Sequence, residues 1–183
     1  MARNDNSQAF NLIERMARLL ASDAWAEGLN PTQAAALQYL ARANRFSRSP
    51  SQVAEYLSAT RGTVSQTLKA LQQKNLITEQ RSASDKRRIS YDLTTKGLGI
   101  VNGSLQPDAS KFPLAKPDAI ALNRALSTAM RGWLSARQVR PFGFCKDCQY
   151  HEKNGATLRC TLLDVDLRPA EAEKICFEQQ PIS

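Results

Sequence analysis

The chain has 183 residues, of which 42% are hydrophobic, so it can form one substantial domain with an appendage or two small domains. No apolar run approaches the length of a membrane span, and the polar stretch Met1 to Gln8 lacks the apolar core of a secretory signal. These features argue against a membrane or secreted protein, and we expect a cytoplasmic location. The net charge of +8 favours a polyanionic partner.

The positive charge is concentrated in one part of the chain. Residues 42–96 contain eleven Lys and Arg against four Asp and Glu, whereas residues 140–183 contain six against seven. We therefore expect the two parts to have different tasks, with the polyanion bound by the first.

Apolar residues at helical spacing predict a first helix from Ala9 to Leu20. The run Asn30-Pro31-Thr32 then predicts the start of a second helix, because a capping residue is followed by proline at the first helical position. Further along, the sequence predicts a short helix, a tight break at Ser58-Ala59-Thr60, a longer helix and two strands joined by a basic turn. These elements span Ser51 to Leu57, Arg61 to Lys74, Leu76 to Gln80 and Arg88 to Leu93.

Two short helices followed by a basic hairpin are the pattern of a winged helix-turn-helix, whose second helix enters the major groove of double-stranded DNA. The exposed face of that helix offers side chains that can reach base edges or phosphates, namely Arg61, Thr63, Ser65, Gln66 and Lys69. The tip of the hairpin adds Lys86, Arg87 and Arg88, which can reach the backbone or an adjacent minor groove.

Three prolines between Gln106 and Pro117 predict an irregular connector, and apolar spacing predicts a further helix from Asp118 to Val139. Helix start signals at Thr94-Thr95 predict another helix after the hairpin. The fold class is therefore mainly α with a small β-wing. We divide the chain into residues 1–28, a first helix; 29–104, the winged helix; 105–117, the connector; 118–140, a second long helix; and 141–183, a segment containing all four cysteines.

The winged-helix region resembles the MarR (multiple antibiotic resistance regulator) family over roughly residues 9–104. The matching segments include Leu29 to Gln33, Ser51 to Leu57 and Thr63-Val-Ser65 through to Ile77. It continues with Ser84-Asp-Lys-Arg-Arg88 and ends with Leu93-Thr-Thr-Lys-Gly97. The sequence departs from the family pattern at Asn75, where glycine is usual, and in the proline-rich connector, where a continuous helix is common.

The resemblance implies a homodimer that binds pseudo-palindromic DNA and dimerises through the helices Ala9 to Leu20 and Asp118 to Val139. It also implies that Arg87 lies at the wing, with Asp85 holding the wing arginine, and that Thr63, Ser65, Gln66 and Lys69 face DNA. Many members of the family bind a small aromatic effector between their domains. Whether this chain binds such an effector is left open by the resemblance.

The four cysteines are Cys145, Cys148, Cys160 and Cys176, and their clustering in a cytosolic chain predicts metal binding or redox chemistry. An iron–sulfur cluster, a four-cysteine zinc site and a metal-free thiol switch are the alternatives. We prefer the cluster, because zinc folds often use two Cys-x2-Cys pairs and this chain has only one. His151 is either an additional ligand or a nearby polar group. A buried site here could be walled by the flanking residues Phe142, Gly143, Phe144, Tyr150, Leu162, Leu163 and Ile175.

Taken together, these features predict a DNA-binding transcription regulator whose activity is modulated by the cysteine segment, and not an enzyme. The sequence has no glycine-rich nucleotide loop and a single histidine, which leaves little for general-base chemistry. The alternatives are the same regulator with a purely structural four-cysteine zinc site and a small-molecule ligand, an iron–sulfur oxidoreductase, and an interaction adaptor that never binds DNA.

Overall fold

The structure is a computed structural model that describes residues 5–22, 25, 27–81, 89–105, 113–155 and 157–182. Within these residues, no helix combines the length and hydropathy that crossing a membrane requires. The chain is mainly helical with three small antiparallel sheets, which confirms the predicted fold class.

Two long helices, α1 (Asp5–Ser22) and α6 (Lys116–Ala136), contain no buried residue. Their apolar side chains are exposed in the single chain, as the large exposed residues Phe10, Ile13, Leu20, Ile120, Met130 and Trp133 show. The two helices touch where the rings of Phe10 and Trp133 stack, with centroids 5.9 Å apart.

The winged-helix domain lies between these helices in sequence. Its elements are α2 (Pro31–Arg42), α3 (Pro50–Tyr56), α4 (Arg61–Gln73), β1 (Ile77–Arg81), β2 (Ile89–Leu93) and α5 (Thr95–Ile100), followed by a π-helical turn over Val101–Leu105. Each helix starts at a polar cap: Asn30, Ser49, Thr60 and Thr94 accept a hydrogen bond from a backbone N–H in the first turn. Strands β1 and β2 pair antiparallel, with Ile77 opposite Leu93.

One apolar core holds the winged helix together. Leu37 and Leu40 of α2, Val53 of α3 and Leu68 and Leu71 of α4 are fully buried in it. Leu105 and, from the far end of the chain, Ile175 also belong to this core. The cysteine segment is therefore part of the same packed body as the winged helix.

The cysteine segment, called here the cysteine module (residues 141–183), is built from short strands. It contains β3 (Gly143–Phe144), β4 (His151–Asn154), β5 (Thr157–Cys160), β6 (Val165–Leu167), the short helix α7 (Pro169–Ala172) and β7 (Ile175–Cys176). Strands β4, β5 and β6 form one antiparallel sheet, and β3 pairs with β7.

The module docks on the loop between α2 and α3, called here the docking loop (residues 43–49). Ala43 forms a parallel bridge with Ile175, and the backbone N–H of Asn44 donates to the Ile175 carbonyl at 2.8 Å. Arg45 forms an ion pair with Glu171, whose side chain is 7% exposed, and donates to the Asp166 carbonyl at 2.9 Å. Backbone pairing and a mostly buried ion pair therefore fix the module against the loop.

An aromatic cluster packs the cysteine module against α2 and α3 of the winged helix. The rings of Tyr39 and Tyr56 stack at 4.3 Å, and Phe142 meets both rings edge-on at 6.1 and 5.2 Å. Phe142 has a φ of 47°, which is rare for a bulky residue, and its far side contacts Phe177 at 5.4 Å. Packing on three rings stabilises this strained backbone.

Several predicted boundaries differ from the structure. The first helix extends from Asp5 to Ser22 beyond the expected Ala9 to Leu20, because polar residues continue it on its solvent side. The second long helix begins at Lys116, so Pro117 lies in its first turn instead of in the connector, and it ends at Ala136. The rest of the expected connector, 106–112, and the wing tip, 82–88, lie outside the described residues.

Gly97 is required where α5 passes over β1. A Cβ at this position would lie 2.1 Å from the backbone oxygen of Leu76, whereas a Cβ at Gly99 in the same helix would meet nothing within 4 Å. We expect Gly97→Ala to lower the free energy of unfolding by about 2 kcal/mol through overpacking. Gly99→Ala, the matched control, should raise it by up to about 1 kcal/mol through helix propensity. Urea unfolding of both variants checks this; equal midpoints would contradict the close approach.

The Arg45–Glu171 pair should contribute to docking. Arg45→Ala removes the nearer of the two guanidinium groups beside this buried carboxylate, which keeps Arg168 at 3.8 Å. We therefore expect amide exchange of β7 to accelerate by up to roughly a hundredfold, corresponding to about 3 kcal/mol. The control is Arg159→Ala, which breaks solvent-exposed pairs with Asp164 and Asp166 and should leave the exchange of β7 near the wild-type rate. Hydrogen exchange followed by mass spectrometry distinguishes them, and the same small effect in both variants would show that the pair does not hold the module.

Candidate functional site

Helix α4 presents one polar face to solvent. Val64, Thr67, Leu68 and Leu71 are buried against the core. The side chains predicted for DNA contact are all exposed, and these are Arg61, Thr63, Ser65, Gln66 and Lys69. No Asp or Glu occurs in α4, so its exposed face carries only positive and neutral groups. Contact of these side chains with DNA stays a prediction.

The N-terminus of α4 is held by a small hydroxyl network. The Thr60 hydroxyl accepts from the Thr63 backbone N–H at 3.1 Å and lies 2.9 Å from the Thr63 hydroxyl. Thr67 in turn donates to the Thr63 carbonyl at 2.8 Å. Thr63 is therefore part of the cap as well as a candidate for DNA contact.

The root of the wing is anchored to the docking loop. The backbone N–H of Tyr91 in β2 donates to the Arg48 carbonyl at 3.1 Å, and the Arg48 guanidinium pairs with Asp92. Lys86, Arg87 and Arg88, together with Asp85, lie outside the described residues, so their placement stays a prediction.

All four cysteines are buried and free of disulfides. Cys145 and Cys148 flank a 3-10 turn, in which the Cys148 N–H donates to the Cys145 carbonyl at 3.2 Å. Cys160 ends β5 and Cys176 ends β7. The pairing of β3 with β7, together with a Cys145 N–H donating to the Lys174 carbonyl at 3.1 Å, brings the turn beside Cys176.

The four thiols lie in one electrostatic neighbourhood. Burial is the largest cause that raises the pKa of Cys145 to about 12, and the nearby thiols of Cys176, Cys160 and Cys148 contribute to the same rise in that order. Cys145 also packs in one small apolar cluster with Cys160 and Leu167. Among the described residues, no group of three or more His, Cys, Asp or Glu side chains is arranged to hold a metal ion. The thiols are therefore neighbours without a ready-made coordination geometry.

His151 faces the same side of its sheet as Cys160. The two residues are direct partners in the antiparallel pairing of β4 and β5, so their side chains lie on one face. The Nε2 atom of His151 is buried and has no hydrogen-bond partner among the described residues. Since buried polar atoms are normally paired, this nitrogen marks a place where a further group fits.

The apolar surroundings of the thiols differ in part from the prediction. Tyr150 packs beside Cys145 and Cys160 as expected, but Phe144, Leu162 and Leu163 are exposed. Phe142 and Ile175 belong to the winged-helix core instead. Phe46, Leu158 and Val165 supply the missing wall.

Sequence reasoning missed Asn44 and Ser47. Both are in the docking loop and both are 1% exposed. The Asn44 Oδ1 atom accepts from the Phe46 N–H at 3.1 Å, and the Ser47 hydroxyl accepts from the Phe177 N–H at 2.8 Å. The loop was interpreted as an ordinary polar connection, and no local pattern links it to a segment about 130 positions later. Two polar residues within a basic loop gave no signal of burial.

Comparison with known proteins gives a match to one family model and to several solved structures. Residues 27–88 match the model of the MarR family, which is about a third of the chain. The solved structure of the S. aureus MepR–DNA complex is 24% identical, covers 69% of this chain and 96% of its own, and gives a TM-score of 0.53. A MarR transcriptional regulator from Methanosarcina mazei Go1 is 17% identical, with coverage of 73% and 99% and a TM-score of 0.59.

Wild-type MarR from E. coli, in its apo form, is 19% identical, with coverage of 67% and 95% and a TM-score of 0.53. No curated protein matches the chain significantly. Each of these solved structures is covered almost completely, while about three tenths of this chain lies outside each match. The chain therefore has the winged-helix fold of MarR regulators, with additional residues beyond the part it shares with them.

Proposed function

We propose that this protein is a sequence-specific DNA-binding transcription regulator that inserts α4 into the major groove. The observation that carries the proposal is the exposed face of α4, which is polar, free of carboxylates and backed by a largely apolar buried face. A helix of this kind can approach phosphates without repulsion and offers amide and hydroxyl groups to base edges. The solved MepR–DNA complex, which has the same fold, supports DNA as the partner.

The regulator acts as a homodimer. Helices α1 and α6 leave extended apolar surface exposed in the single chain, which is unusual for a monomer and typical of an interaction surface. A two-fold dimer places two copies of α4 on the same side of the duplex. The expected operator is therefore a pseudo-palindrome whose half-sites are separated by about one helical turn.

The cysteine module holds an iron–sulfur cluster through Cys145, Cys148, Cys160 and Cys176. Four buried thiols from a turn and two strands, lying in one neighbourhood with partly apolar walls, support this proposal by their chemistry, although the described side chains are not arranged to hold a metal ion. The unpaired buried Nε2 of His151 adds a nitrogen that can donate a hydrogen bond to a ligand or bind metal. When bound, a cluster supplies one-electron redox chemistry that the protein side chains lack. A structural zinc ion is the competing occupant.

The DNA-binding proposal is tested with a duplex enriched from a random-sequence pool by the wild-type protein. Gln66→Ala should lower the preference for that duplex over random DNA, by about 1 to 3 kcal/mol per lost base contact. Lys69→Ala should weaken binding to both duplexes by the same factor. It should also reduce the slope of log affinity against log salt concentration by about 1 per protomer, since one phosphate contact is lost.

The control for Lys69→Ala is Lys153→Ala, which removes an equal charge from an exposed strand of the cysteine module. It should leave the salt slope unchanged if α4 is the reading helix. Enrichment of no duplex, or equal effects of the two lysine variants, would contradict the proposal.

The cluster proposal is tested by anaerobic purification with visible absorption and metal analysis of one sample. We expect broad visible absorption together with bound iron and sulfide, and their loss in Cys145→Ser and Cys160→Ser. Ser has nearly the shape of Cys, so far-UV circular dichroism should show that the winged helix persists. A colourless protein with about one zinc per chain would instead make the module a structural zinc site.

A further inference from the structure

Arg48 is a basic residue of the DNA-reading segment whose side chain turns away from solvent. It is one of the Lys and Arg residues between positions 42 and 96 that predicted a polyanionic partner. Its side chain is nevertheless only 17% exposed. A charge buried to this extent is costly unless hydrogen bonds and an opposite charge compensate it. The partners of its guanidinium therefore show what the residue does.

All three nitrogen atoms of the Arg48 guanidinium have an acceptor within the protein. Nε and Nη2 donate to the carbonyl of Ala43, the C-cap of α2, at 3.2 and 3.0 Å. Nη1 donates to the carboxylate of Asp92 in β2. The planar fork of an arginine can hold two acceptors on different sides in this way, which the single ammonium group of a lysine cannot. The guanidinium thus joins the end of α2 to a strand of the wing.

The wing, strands β1 and β2, depends on this contact for its orientation. It is a two-stranded sheet, and a hairpin of two strands is marginally stable in water on its own. Tyr91 anchors it by packing into the apolar core, but apolar packing has little directionality. In the part of the chain that the structure describes, both polar contacts of β2 outside the wing involve Arg48. These are the Asp92 ion pair and the bond from the Tyr91 N–H to the Arg48 carbonyl at 3.1 Å.

We propose that Arg48 is a positioning residue for DNA reading, which fixes the wing to the end of α2 through Asp92 and so sets where the wing meets the duplex beside α4. The proposal rests on the proposed function, because it requires that the protein binds DNA. Arg48 itself contacts neither base nor phosphate in this role. Because Ala43 also forms the bridge to Ile175, the same guanidinium links the wing to the cysteine module.

The test is hydroxyl-radical footprinting of the full-length protein on the duplex that it selects. The wild-type protein should protect the backbone beside the α4 contacts and, next to them, the backbone that the wing approaches. Arg48→Met should lose the protection by the wing and keep that by α4. Its slope of log affinity against log salt concentration should fall by about 1 or more per protomer, since phosphate contacts of the wing are lost.

The control for the lost charge is Arg42→Met. Arg42 lies in the last turn of α2, where its guanidinium donates to the Gln38 carbonyl of the same helix at 3.1 Å. This variant removes an equal charge without touching the wing, so the protection by the wing should persist.

Asp92→Asn separates positioning from charge, because the two effects have opposite signs. Loss of a carboxylate near DNA would by itself tighten binding. Loss of the ion pair to Arg48 should instead weaken binding, by about two- to fivefold, and reduce the protection by the wing. The matched control is Glu152→Gln on exposed β4, which should bind at least as tightly as the wild type. The double variant Arg48→Met/Asp92→Asn should bind no more weakly than Arg48→Met alone.

Circular dichroism establishes that each variant is folded, and Asp92→Asn, whose side chain is half exposed, serves as the test if Arg48→Met does not fold. Tighter or unchanged binding of Asp92→Asn with intact protection by the wing would overturn the inference. So would the loss of α4 protection together with wing protection in folded Arg48→Met. Both results leave the proposed function intact, since the wild-type protein still protects its duplex. A wild-type protein that selects and protects no duplex would overturn the proposed function and this inference with it.

Discussion

The pairing of the docking loop with β7 is the constraint on which the arrangement of the two halves depends. It consists of the Ala43–Ile175 bridge and the hydrogen bond from the Asn44 N–H to the Ile175 carbonyl. These contacts hold the loop to a strand that lies about 130 residues later in the chain. Because the loop also caps α3 and supports β2, one short segment positions the first helix of the DNA-reading motif, the wing and the cysteine module together. Moving any of these three without the others would break buried hydrogen bonds, each of which is costly to leave unmade.

This arrangement changes the route by which the cysteine module could influence DNA binding. A route through the dimer geometry was the natural expectation, since α1 and α6 carry the exposed apolar faces. The module instead touches the winged helix of its own chain, through Ile175 in the core and through Arg45 and Glu171 at the rim. Coupling between the cysteine module and the DNA-reading elements would then require a second conformation of the docking loop. Occupation of the module would have to disfavour that second conformation.

Local patterns predicted the winged helix because each of its signals acts over a few residues. These short-range signals include the caps Asn30 and Ser49 and the apolar spacing of α4. They also include Asn75 at the end of α4, whose backbone is left-handed with a φ of 55°. For the cysteine module, the sequence predicted a metal or redox site but none of its strands and none of its contacts with the docking loop. Its strands are two to four residues long, too short for a visible alternation, and its docking depends on contacts that no sequence spacing encodes. For the same reason, the exposed Phe144 was wrongly expected to line the thiols.

Strand β7 contains only two residues, and they serve opposite purposes. Ile175 enters the apolar core of the winged helix, and Cys176 lies near the other thiols. A shift of one position would put the thiol where the apolar anchor now lies. The cysteine module is therefore not an independent cassette: transplanted onto another winged helix, it would need a matching cavity for Ile175 and the same buried amide and hydroxyl.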